Sequence, residues 1–354
     1  MPRMLPIENG SSYAKPIGLF ASMVRFEGKK SAFTNFFLIL LAICVIFVNI
    51  FAKEAITKFT TCEKIFRCTN LVLYVIWLLR IRSKRMKYNA IINLFEAQTR
   101  CNLDRPNVRK HLSKSRNIFL FVVTFIALWP PLCDLCHSIM SFQQTGDYIS
   151  LLKNLSSCLL YLLCHSSFQL YHQFLVESCL NIQACWLTVL DCIRLLDRID
   201  GRTLTLTEIR ECRSMFVIAA VTTHKMDSFL RFPIFSYYSF LFILFNVHFV
   251  NMLREPTVEN LIMVTTQSLH LVFVTFNIIY INYLSNKCFD VVYSLAYKTR
   301  SLPVHNEVLL FIDRIEHSKV GFSFLKISLI TPTFVTSMAS LTLTIALSAP
   351  TLFE

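Results

Sequence analysis

The sequence predicts an all-α, polytopic membrane protein with seven transmembrane helices, its N-terminus inside and its C-terminus outside. Three observations carry this. Only 16% of the residues are charged and 54% are hydrophobic, with a mean hydropathy of +0.52, whereas soluble domains carry about a quarter charged residues. Seven apolar runs are long enough to cross a bilayer core, which takes about 20 residues per helix. Lys and Arg are concentrated in alternate loops.

The spans follow in order. The first is Ala32–Phe51. The second, Ile65–Ile81, is the weakest, with Arg67, Asn70 and Arg80 near its ends, where long side chains can snorkel to the interface. The third is Asn117–Met140, the fourth Leu151–Val176, the fifth Pro233–Leu253, the sixth Asn260–Leu284 and the seventh Ile327–Ala349. With only 6 Gly, and without the roughly ten-residue alternating segments of a barrel, long helices are expected. The first 31 residues are mostly polar and show no signal peptide, so the first span is expected to act as its own signal.

Charge sets the orientation. Residues 1–31 carry five Lys and Arg, 80–116 eleven, 177–232 seven and 285–326 six, while the intervening loops carry six between them. Positive residues stay on the cytosolic side. If Ile65–Ile81 did not cross, this asymmetry would collapse. The expected organisation is a cytosolic segment 1–31, one membrane domain 32–349 with cytosolic loops at 82–116, 177–232 and 285–326, and a short extracellular end 350–354. The formal charge of +13 flanks the spans as insertion requires, so nucleic acid is not an expected partner and the lipid bilayer is.

The inner loops read as helical. Leu175–Leu196 continues the fourth span, with Asp191 and Arg194 spaced to pair. Asp200-Gly201 breaks it, and Thr205-x-x-Glu208 reads as a capping box opening the next helix. Ser301-Leu302-Pro303 ends another helix, and Val304–Phe324 is expected to form a further amphipathic one.

No catalytic constellation is present. The chain has no Gly-rich phosphate loop, no HExxH, no GxSxG and no paired carboxylates within the spans, so neither an enzyme nor a cofactor is expected. The 13 Cys read mostly as small buried hydrophobes. Cys133 and Cys136 form a lone CxxC, which gives no zinc site. Cys62 and Cys68 share the first outer loop and leave a disulfide open there.

Polar residues in the spans are the candidate ligand contacts. Asp134 is the one acid well inside a span, where a charge is costly; it reads either as cavity-facing or as a near-interface acid paired locally. His137 follows on the same face. Tyr74, Tyr161, His248, Gln267 and His270, with Trp77, fall in outer halves or near mid-span. Singly each reads as an interhelical hydrogen-bond maker; together they describe an outward-opening pocket. Tyr237 and Tyr238 read as an aromatic belt at the inner interface. In the seventh span Thr333, Ser337, Ser340, Thr344 and Ser348 share one helical face, with Pro332 expected to kink its entry. That stripe is either a helix-packing face or a hydroxyl-lined pore, and a pore from one helix per chain requires an oligomer.

Seven helices also bring a G-protein-coupled receptor of standard topology to mind. Here the third span ends Cys136-His137-Ser138 rather than in an Asp/Glu-Arg-Tyr triplet, the seventh lacks Asn-Pro-x-x-Tyr, and the charge count is inverted. A small-molecule transporter would show related halves with broken helices, and none is visible. The overall plan resembles the gustatory receptor family of arthropods and nematodes, within the insect-type seven-transmembrane chemoreceptor superfamily. The likeness covers size, inverted topology, short outer loops, a cytosolic helix before the last span, and Gly321-Phe322, which is similar to the family's Gly-Phe stretch. The family's signature, Thr-Tyr, five apolar residues, then Gln-Phe, is replaced here by Ser340-Leu341-Thr342-Leu343-Thr344-Ile345-Ala346-Leu347-Ser348, which marks a divergent member.

The resemblance implies a ligand-gated, non-selective cation channel for taste or another chemical sense, at the plasma membrane of sensory neurons. It implies a homotetramer, or a hetero-oligomer with related receptors, with the last helix lining the pore and a small-molecule tastant bound in the outer half of each subunit.

Overall fold

Helices far longer than a bilayer core dominate the computed structural model, which describes residues 32–40, 43, 61–101, 103, 105–145, 148–199, 204–254 and 256–352. The expectations for segment 1–31, for the remainder of the first span and for Cys62 and Cys68 lie outside the described residues. Residues 32–40 are helical. Then come α1 (Thr61–Ser83), α2 (Arg85–Thr99), α3 (Pro106–Thr145), α4 (Tyr148–Asp197), α5 (Leu206–Arg254), α6 (Val258–Lys298) and α7 (Leu302–Glu316). A two-stranded antiparallel hairpin, β1 (Ser323–Phe324) and β2 (Ser328–Leu329), leads to α8 (Pro332–Leu352).

At 1.5 Å per residue, the 50 residues of α4 and 49 of α5 each span about 75 Å, more than twice a bilayer core. The long loops are thus continuations of spans, as Leu175–Leu196 suggested. Among the described residues, three helices are long and apolar enough to cross a membrane: Gln169–Asp197, Leu206–Arg254 and Asn260–Lys298. Pro332–Ser348 is a shorter apolar helix. The weak second run lies inside α1.

Contacts bring alternate loop ends to one end of the bundle. Arg82 Nε at the foot of α1 donates to Asn35 Oδ1 at 3.1 Å. Trp77 stacks on Phe232 at 6.3 Å, and Tyr171 donates to the Pro233 carbonyl at 2.6 Å. This is the arrangement antiparallel neighbours require.

α4 is the central helix. From Gln169 to Leu190 nearly every side chain is buried, Tyr171, Phe174 and Trp186 completely. A helix apolar all round belongs in the core, and α3, α5 and α6 pack along it. Trp186 meets Phe216 edge-on at 5.1 Å, and Phe216 meets Phe311 of α7 at 5.6 Å. The capping box forms: Thr205 N donates to Glu208 Oε2 at 3.0 Å and Glu208 N to Thr205 Oγ1 at 3.3 Å. Asp191 and Arg194 lie 3.8 Å apart on the surface, where such a pair contributes little. Cys101, Cys179, Cys185, Cys212 and Cys288 are buried.

The structure corrects the approach to the last helix. The amphipathic helix expected over Val304–Phe324 starts at Leu302 and ends at Glu316, and the seventh run starts as helix at Pro332, not Ile327. Between them runs the hairpin. Proline has no N–H and suits the first helical turn, while the residue before it is pushed to extended backbone. Pro332 therefore opens α8 rather than kinking it. In the three-residue loop 325–327, the turn closes with Ile327 N donating to the Phe324 carbonyl at 2.9 Å. Leu325 and Lys326 both have positive φ, 52° and 64°, the pattern of a type I′ turn that normally uses Asn-Gly.

Holding an L-residue with a side chain there costs roughly 1–2 kcal/mol. Lys326→Gly should therefore raise stability by about 1 kcal/mol, read as a higher thermal midpoint of the detergent-solubilised chain, whereas Lys326→Val should lower it.

Candidate functional site

Two regions carry polar chemistry where apolar packing would be expected. The first is a cluster between α4, α5 and α6. Gln169 Nε2 lies 3.3 Å from His270 Nε2. Tyr237 donates to the His270 carbonyl at 3.0 Å, and Tyr238 to Thr275 Oγ1 at 2.9 Å. The His172 ring sits 4.7 Å from His270 and 4.9 Å from Tyr237. All six residues are buried. Their hydrogen bonds and ring contacts offset part of the cost of burying so many polar groups, although Gln169 Oε1 and both ring nitrogens of His172 have no hydrogen-bond partner among the described residues.

The structure places the predicted pocket residues unequally. His248, Gln267 and His270 are buried within the bundle. His270, expected to line an outer pocket, bonds with Gln169 and Tyr237 between α4, α5 and α6. The side chains of Tyr74, Asp134, His137 and Tyr161 lie outside the described residues. Tyr237 and Tyr238, read as an interfacial belt, are interior at 0% and 3% exposure. Their hydroxyls bond into α6 rather than reaching water.

The sequence reading missed Gln169, Tyr171 and His172, which lie inside an apolar run. The available signal was Gln169 and His172 three residues apart, on one face of that run.

Beyond this cluster two acceptors stand out. The Gln267 Oε1 and Asn246 Oδ1 atoms are buried with no hydrogen-bond partner among the described residues. α5 and α6 run antiparallel in a register fixed by the Tyr238–Thr275 bond. Asn246 and Gln267 each lie eight residues further toward the α5–α6 turn, so both sit about 12 Å beyond that bond at the same height. A buried acceptor left unpaired costs roughly 1–3 kcal/mol, so this level can take a donor from outside the described residues.

The second region is the last helix and its mounting. Thr333, Ser337, Ser340 and Thr344 are exposed and Ser348 is half-buried. α8 packs on α5 through a different face, on which Phe334 meets Tyr238 and Ala346 is buried. The stripe hydroxyls bond back along their own helix: Ser337 to the Thr333 carbonyl at 3.0 Å, Thr344 to Ser340 at 2.9 Å and Ser348 to Thr344 at 2.8 Å. At the base of α8 the Asp227 carboxylate of α5, itself buried, accepts from Ser323 N at 2.7 Å and from Ser323 Oγ at 2.8 Å. Asn282 of α6 donates to the Val320 carbonyl at 2.8 Å. Glu307 of α7, 4% exposed, holds Arg213 at 2.8 Å and Arg210 at 3.2 Å.

An unbroken chain of ring contacts joins the two regions. Tyr237 meets Tyr238 at 5.3 Å, Tyr238 meets Phe334 at 5.7 Å, and Phe334 meets Phe324 at 5.6 Å.

No protein-family model matches the chain, and no curated protein matches it in sequence. Its structure is similar to that of the insect olfactory receptor OR5 from Machilis hrabei in complex with eugenol. The TM-score is 0.61 at 10% identity, covering 91% of each chain. A second structure of that receptor aligns over 91% of this chain and 90% of its own, at 11% identity and a TM-score of 0.47. The first of these likenesses defines the class of fold: this chain has the nearly all-helical fold of an insect olfactory receptor.

The two polar levels respond differently to substitution. Gln267→Leu should leave the stability of the ligand-free chain unchanged or raise it by up to about 1 kcal/mol, because it removes an unpaired acceptor. His270→Ala should cost about 2 kcal/mol or more, since it opens a cavity and removes one partner of Gln169. Thermal unfolding of both variants in detergent checks this.

Proposed function

We propose that this chain is a chemosensory receptor: a ligand-gated, non-selective cation channel that assembles as a homotetramer, or with related receptors, in the plasma membrane of sensory neurons. The observation that carries this reading is the fold likeness over 91% of the chain to a receptor solved with a small molecule bound. The gustatory type is favoured by the overall sequence plan. Seven spans, with the end of the last helix outside, are favoured by the distribution of Lys and Arg.

In this reading the ligand is a small organic molecule with a hydrogen-bond donor. It is received at the level of Asn246 and Gln267, with Tyr74, Asp134, His137, Tyr161 and His248 as further contacts. Ligand binding need only favour one packing of the helices over another to act on the gate. The exposed hydroxyl stripe of α8 supports a pore-lining role, since an assembly of copies can gather four such faces around one axis. The aromatic chain from Tyr237 to Phe334 offers a mechanical connection between the two levels.

An epitope tag after Glu354 should stain on intact cells. Staining only after permeabilisation, with surface delivery established separately, would overturn both the orientation and the channel reading. In agonist-evoked recordings, Ser340→Cys should become sensitive to block by thiol reagents. Currents unaffected at Ser337, Ser340 and Thr344 alike would remove the pore assignment. Gln267→Leu should weaken agonist potency at undiminished surface expression, which its neutral effect on stability makes interpretable.

A further inference from the structure

The segment Arg80–Lys87 reads Arg-Ile-Arg-Ser-Lys-Arg-Met-Lys, and no acid occurs between Glu63 and Glu96. The other long inner loops balance their charge. Residues 177–232 hold seven basic and seven acidic side chains and 285–326 six and four, whereas 80–116 hold eleven and two. Insertion depends on Lys and Arg and is nearly indifferent to acids. The missing counter-charge around Arg80–Lys87 is therefore a separate fact.

The structure gathers this charge at one place. The Arg80 guanidinium lies 5.2 Å from the ring centre of Trp77, which stacks on Phe232, an aromatic arrangement typical of interface depth. α1 ends at Ser83 and α2 begins at Arg85, so the chain turns within the basic run. Arg82 is buried against Asn35. Burial and the neighbouring Arg85 guanidinium both pull the Arg82 pKa below its ordinary value. Arg85 is half-buried, and its Nε is buried without a hydrogen-bond partner among the described residues. Arg80, Lys84 and Lys87 are exposed, with Leu79 and Met86 exposed beside them. Two guanidinium groups that repel each other in a partly dry corner, ringed by three more cations and two apolar side chains, suit an amphiphile with a polyvalent anionic head.

We propose that Arg80, Arg82, Lys84, Arg85 and Lys87 form a binding site for an inner-leaflet phosphoinositide, its phosphorylated headgroup held by the guanidinium and ammonium groups and its acyl region against Leu79 and Met86. The inner-leaflet placement rests on the orientation proposed above. Binding in detergent depends neither on orientation nor on conduction, so the two proposals fail separately.

The test uses the purified full-length chain in detergent, with dioctanoyl phosphatidylinositol bisphosphate as probe and dioctanoyl phosphatidylserine as comparison. Saturable binding of the inositol lipid, well above that of the serine lipid, is expected. Removing charge here should weaken it roughly fivefold per residue, so Arg82→Gln/Arg85→Gln should lose tenfold or more. Should that pair fail to fold, the exposed pair Arg80→Gln/Lys87→Gln should show the same loss at an unchanged thermal midpoint. Lys110→Gln/Lys114→Gln removes equal charge from the same loop and should change binding less than twofold. Equal losses in the control pair, equal binding of the serine lipid, or full displacement by inositol trisphosphate at the same concentration would each overturn the lipid site.

Discussion

The half of the molecule around residues 169–190 depends on burying α4 on all sides. A helix in that position can offer few polar groups to water, so those that pair do so with a neighbour or with their own helix. Those partners fix the neighbours. Gln183 Nε2 donates to the carbonyl and side chain of Asn277 at 2.9 and 3.2 Å, which sets α6. His111 meets Gln183 at 3.0 Å, which sets α3. The Trp186 indole donates to Thr223 at 3.0 Å, which sets α5, and Tyr88 bonds Ser178 at 3.1 Å, which sets α2. Apolar burial supplies the driving force, and these bonds select one register among several of similar area. In lipid, where helix association has little hydrophobic drive, such interhelical bonds weigh more heavily in choosing the packing.

How much of this was legible in the sequence depended on range. Local signals translated directly: Thr205 and Glu208 cap α5, and Asp191 meets Arg194 one turn on. Signals that need a partner from elsewhere did not. Tyr237 and Tyr238 have the composition of an interfacial belt, and only the approach of α6, with the His270 carbonyl and Thr275 in reach, makes them interior. Gln169 and His172 look like stray polar residues until α5 and α6 arrive. The hairpin before α8 was hidden for another reason. Ile327–Thr331 is apolar enough to extend the span, and no Asn-Gly marks the turn, because Leu325 and Lys326 occupy the left-handed positions at a cost the packing of Phe322 and Phe324 sustains.

The same features divide α8 mechanically. Its base is held through Asp227, Asn282 and a strained turn, all attached to helices that α4 organises. Its length packs on α5, where Phe334 meets Tyr238, while Thr333, Ser337, Ser340 and Thr344 of the hydroxyl stripe are exposed. The back-bonded hydroxyls matter here. Ser337, Thr344 and Ser348 each donate to a carbonyl one turn earlier, so these hydroxyls are satisfied within their own helix and lose little when their surroundings change. Elements with few buried contacts lie at the low-stability end of a structure and are the ones free to move. A helix clamped at one end and lightly packed along its length can occupy two packings separated by a few kcal/mol. The Tyr237–Tyr238–Phe334 contacts then place the clamped end next to the polar interior, where a small change in the packing of α5 against α6 acts on the whole helix at its base.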